Sequence, residues 1–171
     1  MILYHGTSAS FSQIDLAKGL PGKDFGRGFY TSDSLECARK TALQRVDRLG
    51  GTAVVLRLEF HEDLPPGFRT KRFPAPSREW ALFVRANRRG YVKAEDHNRD
   101  CRYDVVVGPI ANDKLSLQFR LFDKGLITLD AFVDALQFKH LYFQYSFHTQ
   151  RAISRLRFLG IENVSRSQTV D

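Results

Sequence analysis

LYHGTS (residues 3–8) and DFGRGFYTSD (residues 24–33) are the two stretches on which the reading of this chain turns. The first closes a short apolar run from Met1 that reads as an opening strand stopped at a glycine. Between them, Gly19, Pro21, Gly22, Gly26 and Gly28 mark residues 11–28 as mostly loop, and FYTSD then reads as a second strand. His5 is thus placed on the first strand beside Gly6, which lets another backbone or a ligand approach closely. Tyr30 follows a tight glycine turn and offers a flat ring with a hydroxyl at its rim. A lone histidine is more often structural than chemical. An imidazole, a free stretch of main chain and an aromatic face together, however, are what a pocket for a planar heterocycle on a ribose requires.

Beyond the second strand the hydrophobic period changes. Leu35, Ala38, Ala42, Leu43 and Val46 recur at helical spacing, Ser32 or Ser34 can cap the start, and Gly50-Gly51 stops the helix. TAVVLRLEF (52–60) is β-branched and alternates, predicting a strand. DLPPGFRTKRFPAPS (63–77) reads as a loop that ends in a serine cap for a second helix over REWALFVRANRRG (78–90), with Trp80, Phe83 and Val84 inward. YDVVVGPI (103–110) predicts a strand and TLDAFVDALQF (128–138) an amphipathic helix beginning at Thr128. YFQYSFHT (142–149) predicts another strand, whose aromatics serve mostly core packing. A last short helix is predicted over TQRAISRLRFLG (149–160), and SRSQTVD (165–171) reads as a frayed tail. Strands and helices mixed without strict alternation indicate an α+β fold.

At 171 residues, with 43% hydrophobic and 26% charged side chains and no repeat or biased tract, the chain is expected to fold as one domain over 1–171. Cys37 and Cys101 carry no CxxC or histidine-rich neighbourhood, so neither a zinc site nor a disulfide framework is suggested, and a reducing cytoplasm is the expected location. No basic leader and no run of about 18 apolar residues predicts a membrane span. Lys and Arg number 26 against 19 Asp and Glu, a net charge of +7. That excess favours anionic partners: a dinucleotide, nucleic acid or an acidic protein. The basic residues gather in RTKRF (69–73) and at Arg85, Arg88, Arg89, Lys93, Arg99 and Arg102, where a merely solvated face is the plain alternative. There is no Walker A loop, GxGxxG or HExxH, and His61, His97, His140 and His148 show no paired ligand spacing, so no metal is required.

YHGT followed by GRGFYTS resembles the ADP-ribosyltransferase superfamily, in its His-Tyr-[Glu/Asp/Gln] branch. DFGRGFYTSD, EWALFVRANR (79–88), YDVVVGPIAND (103–113) and FQYSFHTQRAISRLRF (143–158) further resemble a bacterial family of unknown function in that branch, often encoded in toxin–antitoxin-like gene pairs. The resemblance implies a split β-sheet core with flanking helices and NAD as substrate, with no metal. It also implies mono-ADP-ribosyl transfer to a protein or nucleic-acid acceptor and an antitoxin protein as partner. On this resemblance His5 would bond a hydroxyl of the nicotinamide ribose, the Gly6 backbone would hold the carboxamide, Thr7 would shape that contact, and Phe29 and Tyr30 would line or stack on the nicotinamide.

The third motif falls at Gln144, where a glutamate would supply charge to an oxocarbenium-like transition state. A glutamine keeps a hydrogen bond without the charge, leaving transfer to a strong nucleophile, a second acid elsewhere, or no catalysis. Glu79 is the candidate second acid; its plain alternative is to favour the helix N-terminus by about 0.3–1 kcal/mol. Asp24, Arg27 and Arg88 are candidate contacts to pyrophosphate or ribose, since arginine binds phosphate in a bidentate manner, with surface roles as the alternative. Two other activities fit the same residues: a non-catalytic module that binds NAD, ADP-ribose or nucleic acid, and an NAD glycohydrolase.

Overall fold

In a computed structural model that describes residues 1–89, 96–110, 113–135 and 142–166, the two quoted stretches become neighbours in one sheet. β1 (Ile2–Thr7) and β2 (Phe29–Ser32) are linked by a loop holding a 3-10 turn at Leu16–Lys18. Helix α1 (Leu35–Leu49) is capped by the Ser34 hydroxyl, which accepts from the Cys37 N–H, and ends at Gly50. There follow β3 (Val54–Phe60), β4 (Thr70–Arg72), α2 (Arg78–Arg89), β5 (Val105–Pro109), α3 (Asp113–Asp123), α4 (Leu129–Asp134), β6 (Phe143–Phe147), α5 (Gln150–Ile153) and β7 (Leu156–Asn163). The sheet order is β4-β5-β6-β2-β1-β3-β7, with β4 and β5 parallel and the other pairs antiparallel. The fold is α+β. Among the described residues no helix is long and apolar enough to cross a membrane.

Period-two alternation sorts the core onto the two sheet faces. Val106 packs with Phe25, Phe73, Trp80, Phe83, Phe119 and Phe132, under α2, α3 and α4. Its neighbours Val105 and Val107 join Leu3, Leu58, Phe60, Phe147 and Ile153 on the opposite face, where Phe11, Ile14, Leu64 and Phe68 from the loops close the cluster. A strand buried on both faces has no polar alternation to show, which is why VVV reads as one apolar run. Trp80, Phe83 and Val84 are buried, as the helical period over 78–90 requires.

Three elements differ from the sequence reading. RTKRF, read as loop, contains β4, a three-residue strand at the sheet edge whose mostly solvated side chains carry no hydrophobic period. α3 occupies residues for which the pattern made no prediction. The predicted last helix stops after Gln150–Ile153, and Leu156–Asn163 runs instead as β7 against β3. Alternation in RFLGIEN is masked by a bulge between the Arg57–Gly160 and Leu58–Phe158 pairs, and the open edge of β3 is what recruits the segment. The predicted extension of α4 to Phe138, the stop at Gly90, Lys93, His140 and the tail from residue 167 lie outside the described residues.

The join between β5 and β6 is held by one buried carboxylate. Asp104 takes a hydrogen bond from Thr149 Oγ1 at 2.7 Å, from Arg151 Nε at 2.7 Å and from the Arg69 N–H at 2.9 Å. Burial pushes its pKa up, but the Arg151 guanidinium, the Arg69 amide and the Thr149 hydroxyl outweigh that and hold it below the usual carboxylate range. Asp104→Asn replaces an acceptor oxygen with a donor facing those donors. It is expected to lower unfolding free energy by about 2–3 kcal/mol in a denaturant titration at neutral pH. A loss below about 0.5 kcal/mol would remove Asp104 as the tie between these elements.

Candidate functional site

β1 pairs with β3 from Ile2 to Thr7, but its ladder with β2 holds the single pair Tyr4–Ser32. Past Tyr4 the strands part, and a cleft of about 640 Å³ opens between them, lined from β1, β2, α1, the intervening loop and Gln144 of β6. Gly6 sets one wall. A Cβ there would lie 1.9 Å from the Ala38 carbonyl oxygen, so only glycine lets α1 rest directly on β1. Ala38, Thr41 and Arg45 then form the stripe of α1 that faces the cleft.

His5 is buried and lines this cleft. Its Nδ1 lies 2.6 Å from the Tyr30 carbonyl oxygen, stacked on Phe29 with ring centroids 4.5 Å apart. A carbonyl only accepts, so Nδ1 carries the proton and Nε2 is left as an acceptor. Burial lowers the imidazole pKa to about 4, the bond to Tyr30 opposes that shift, and the Arg45 charge adds to it. The ring is therefore neutral near pH 7. Phe29 is buried beneath it, and Thr7 lines the cleft beyond.

Tyr30 also lines the cleft, and its hydroxyl is engaged within the fold. That oxygen donates to the Gly26 carbonyl at 2.6 Å and accepts from the Phe25 N–H at 3.0 Å, tying down the glycine turn. Gly26 takes φ 89°, and a Cβ there would meet the Asn98 carbonyl oxygen at 2.6 Å. Burial and the Asp24 carboxylate push the phenol pKa well up, so the hydroxyl stays protonated. His148, expected as a satisfied histidine at a strand end, is buried, with Nδ1 2.8 Å from the Arg27 carbonyl and Nε2 2.8 Å from the Ser146 hydroxyl.

The amide of Gln144 has a forced orientation. Its Nε2 donates to Asp24 Oδ2 at 2.9 Å and to the Pro109 carbonyl at 3.2 Å, and an oxygen in that place would face two acceptors. Asp24 is held from its other side by Arg88, whose Nε lies 2.8 Å from Oδ1 and whose guanidinium sits 4.8 Å from the Phe119 ring centroid. Asp24, Arg88 and Gln144 all line the cleft with His5 and Tyr30.

Two sequence candidates stand elsewhere. Glu79 is exposed and pairs with Lys71 on β4, at the far edge of the sheet and outside the cleft lining. Its exposed position beside a lysine fits a surface ion pair better than a second acid. Arg27 is also exposed; its Nε donates to the Gly19 carbonyl at 2.7 Å and braces the loop.

The sequence reading missed Lys23 and Arg45, which also line the cleft and form no ion pair with a described residue. Burial lowers the pKa of Lys23, Arg45 pushes the same way, Asp24 opposes, and Arg48 and Arg88 add smaller repulsions. Burial, then Arg48, likewise lowers Arg45. Cations gathered in a concave wall make a favourable place for an anion. The available signal was the spacing of Ala38, Thr41 and Arg45 on one helical stripe; only packing shows which stripe faces a cavity.

Replacing Gln144 by glutamate sets a carboxylate against Asp24 and a carbonyl. Gln144→Glu is expected to cost about 1–3 kcal/mol in unfolding free energy at neutral pH. Like charges raise the folded pKa, so proton uptake favours the native variant and the deficit should shrink on acidification. An undiminished deficit at pH 5 would contradict that account.

His5 and His148, each with its pKa lowered to about 4 by burial, give a second pH signature. Both stay neutral in the fold yet bind protons when unfolded, so their contribution is complete above about pH 6.5 and is lost as pH falls toward 4. The unfolding free energy from denaturant titrations should decline across that window, with a slope of at most about 2.7 kcal/mol per pH unit for the pair. His148→Gln should roughly halve the slope.

The family model described as "Protein of unknown function (DUF3990)" matches residues 1–158. No curated protein matches the chain.

Proposed function

The chain belongs to the DUF3990 family, whose description assigns no activity, and from the cleft we propose that it is a mono-ADP-ribosyltransferase that takes ADP-ribose from NAD to a macromolecular acceptor. The observation that carries this reading is the neutral His5, fixed by the Tyr30 carbonyl where β1 and β2 part, so that Nε2 can accept from a hydroxyl of a bound sugar. Tyr30 lines the same cleft, its position locked by the two bonds of its hydroxyl. Lys23, Arg45 and Arg88 suit the diphosphate of a dinucleotide. NAD supplies a glycosidic bond to nicotinamide that breaks with charge building on the ribose. This protein's part is to bind, orient and stabilise.

The net charge of +7 suits a nucleic acid acceptor as well as an acidic protein. The proposal extends to the setting, a cytoplasmic toxin restrained by an antitoxin protein.

Purified protein incubated with NAD labelled in its adenylate half and a cell lysate should pass label to macromolecules. Protease or nuclease sensitivity then gives the acceptor class. His5→Ala is expected to reduce labelling about 100-fold or more, and the double variant Lys23→Glu, Arg45→Glu to weaken NAD binding at least about tenfold. Free ADP-ribose released quantitatively without acceptor would point to a glycohydrolase. NAD bound but never cleaved would point to a binding module.

A further inference from the structure

We propose that Asp24 is the catalytic carboxylate of this cleft and that Gln144 is its positioning residue, an assignment that rests on the transferase reading above. Gln144 carries no charge, and Glu79 lies on Lys71 at the β4 edge of the sheet, away from the cleft. Among the described residues lining the cleft, the carboxylates are Asp15 and Asp24. Asp15 is engaged as a cap, its Oδ1 taking the Ala17 N–H at 2.9 Å. Asp24 instead points at the third-motif position itself, with Oδ2 2.9 Å from Gln144 Nε2.

The arrangement fixes the carboxylate from two sides. Arg88 takes Oδ1, leaving the negative end of that ion pair toward Oδ2, Gln144 and the cleft. Among the described residues, three of the roughly four acceptor directions of the carboxylate are used, by Arg88 Nε, Arg88 Nη2 and Gln144 Nε2, which leaves one for a ligand. Gln144 in turn is locked by its second bond, to the Pro109 carbonyl. A glutamine is the residue this geometry needs: it donates to the carboxylate, where a glutamate would repel it. The charge absent at residue 144 is thus held one hydrogen bond away.

In the step itself the bond from ribose C1′ to the nicotinamide nitrogen breaks, and its electron pair leaves with the ring, which becomes neutral. Positive charge builds at C1′ and the ring oxygen, opposite the fixed negative charge of Asp24. An acceptor oxygen or nitrogen then bonds to C1′ and loses its proton to solvent. Asp24 is neither consumed nor protonated.

Asp24→Ala and the nearly isosteric Asp24→Asn, both in the full chain, test the assignment against Glu79→Gln as control. Transfer from labelled NAD is measured beside NAD binding by calorimetry, with circular dichroism to confirm folding. The expected result is a fall in kcat of about 100-fold or more for both Asp24 variants, with the NAD Kd changed less than about threefold, and full activity in Glu79→Gln. Formate, which can occupy the space left in Asp24→Ala, should restore part of its rate, whereas chloride should not. Folded Asp24 variants that turn over within about threefold of wild type would overturn the assignment and leave the transferase reading intact. Loss of NAD binding in parallel with rate, without formate rescue, would make Asp24 a structural residue and also overturn it. A wild-type protein that binds NAD without cleaving it would overturn both.

Discussion

One pair of residues, Tyr4 with Ser32, joins β1 to β2, and the cleft depends on that ladder stopping there. A longer ladder would close the sheet across the place where His5 reaches the Tyr30 carbonyl. The parting is held open from both sides. β1 is committed to β3 along its full length and is pressed against α1 at Gly6, while β2 is committed to β6 from Phe29 to Ser32. The histidine bridges the gap with its side chain where main-chain bonds are given up, so a single interaction serves both the fold and the site.

Around that gap the electrostatics are uneven. Lys23, Arg45 and Arg88 bring positive charge to the cleft, and Asp24 sits among them, tied to Arg88 and Gln144. Burial weakens the hold of Lys23 on its proton and keeps His5 neutral. Positive charge thus lines one wall, and His5 Nε2 is left as an acceptor beside it.

Tyr30 lines the cleft while the bonds of its hydroxyl hold the turn beside it. Its hydroxyl is spent on the turn at Phe25 and Gly26, and its ring stacks on Phe25. The buried phenol stays neutral, so its hydrogen bonds hold without bringing a further charge beside Asp24.

By itself the sequence determined the elements whose patterns are local: α1 with its serine cap and glycine stop, α2 with Trp80 and Phe83 inward, the apolar strands β3 and β5, and the glycine turn before Tyr30. It also singled out His5, Tyr30 and Gln144, which the fold brings to one cleft from β1, β2 and β6. β4 and β7 were decided by the tertiary structure, because an edge strand is defined by the neighbour it pairs with: β4 is short and mostly solvated, and the period of β7 is broken by a bulge. The same holds for the site. Glu79 and Asp24 are both acidic residues near a landmark, and nothing in their local sequence tells them apart. Pairing puts Glu79 beside Lys71 at the sheet edge and Asp24 against Gln144, since a long-range hydrogen bond has no signature in sequence spacing.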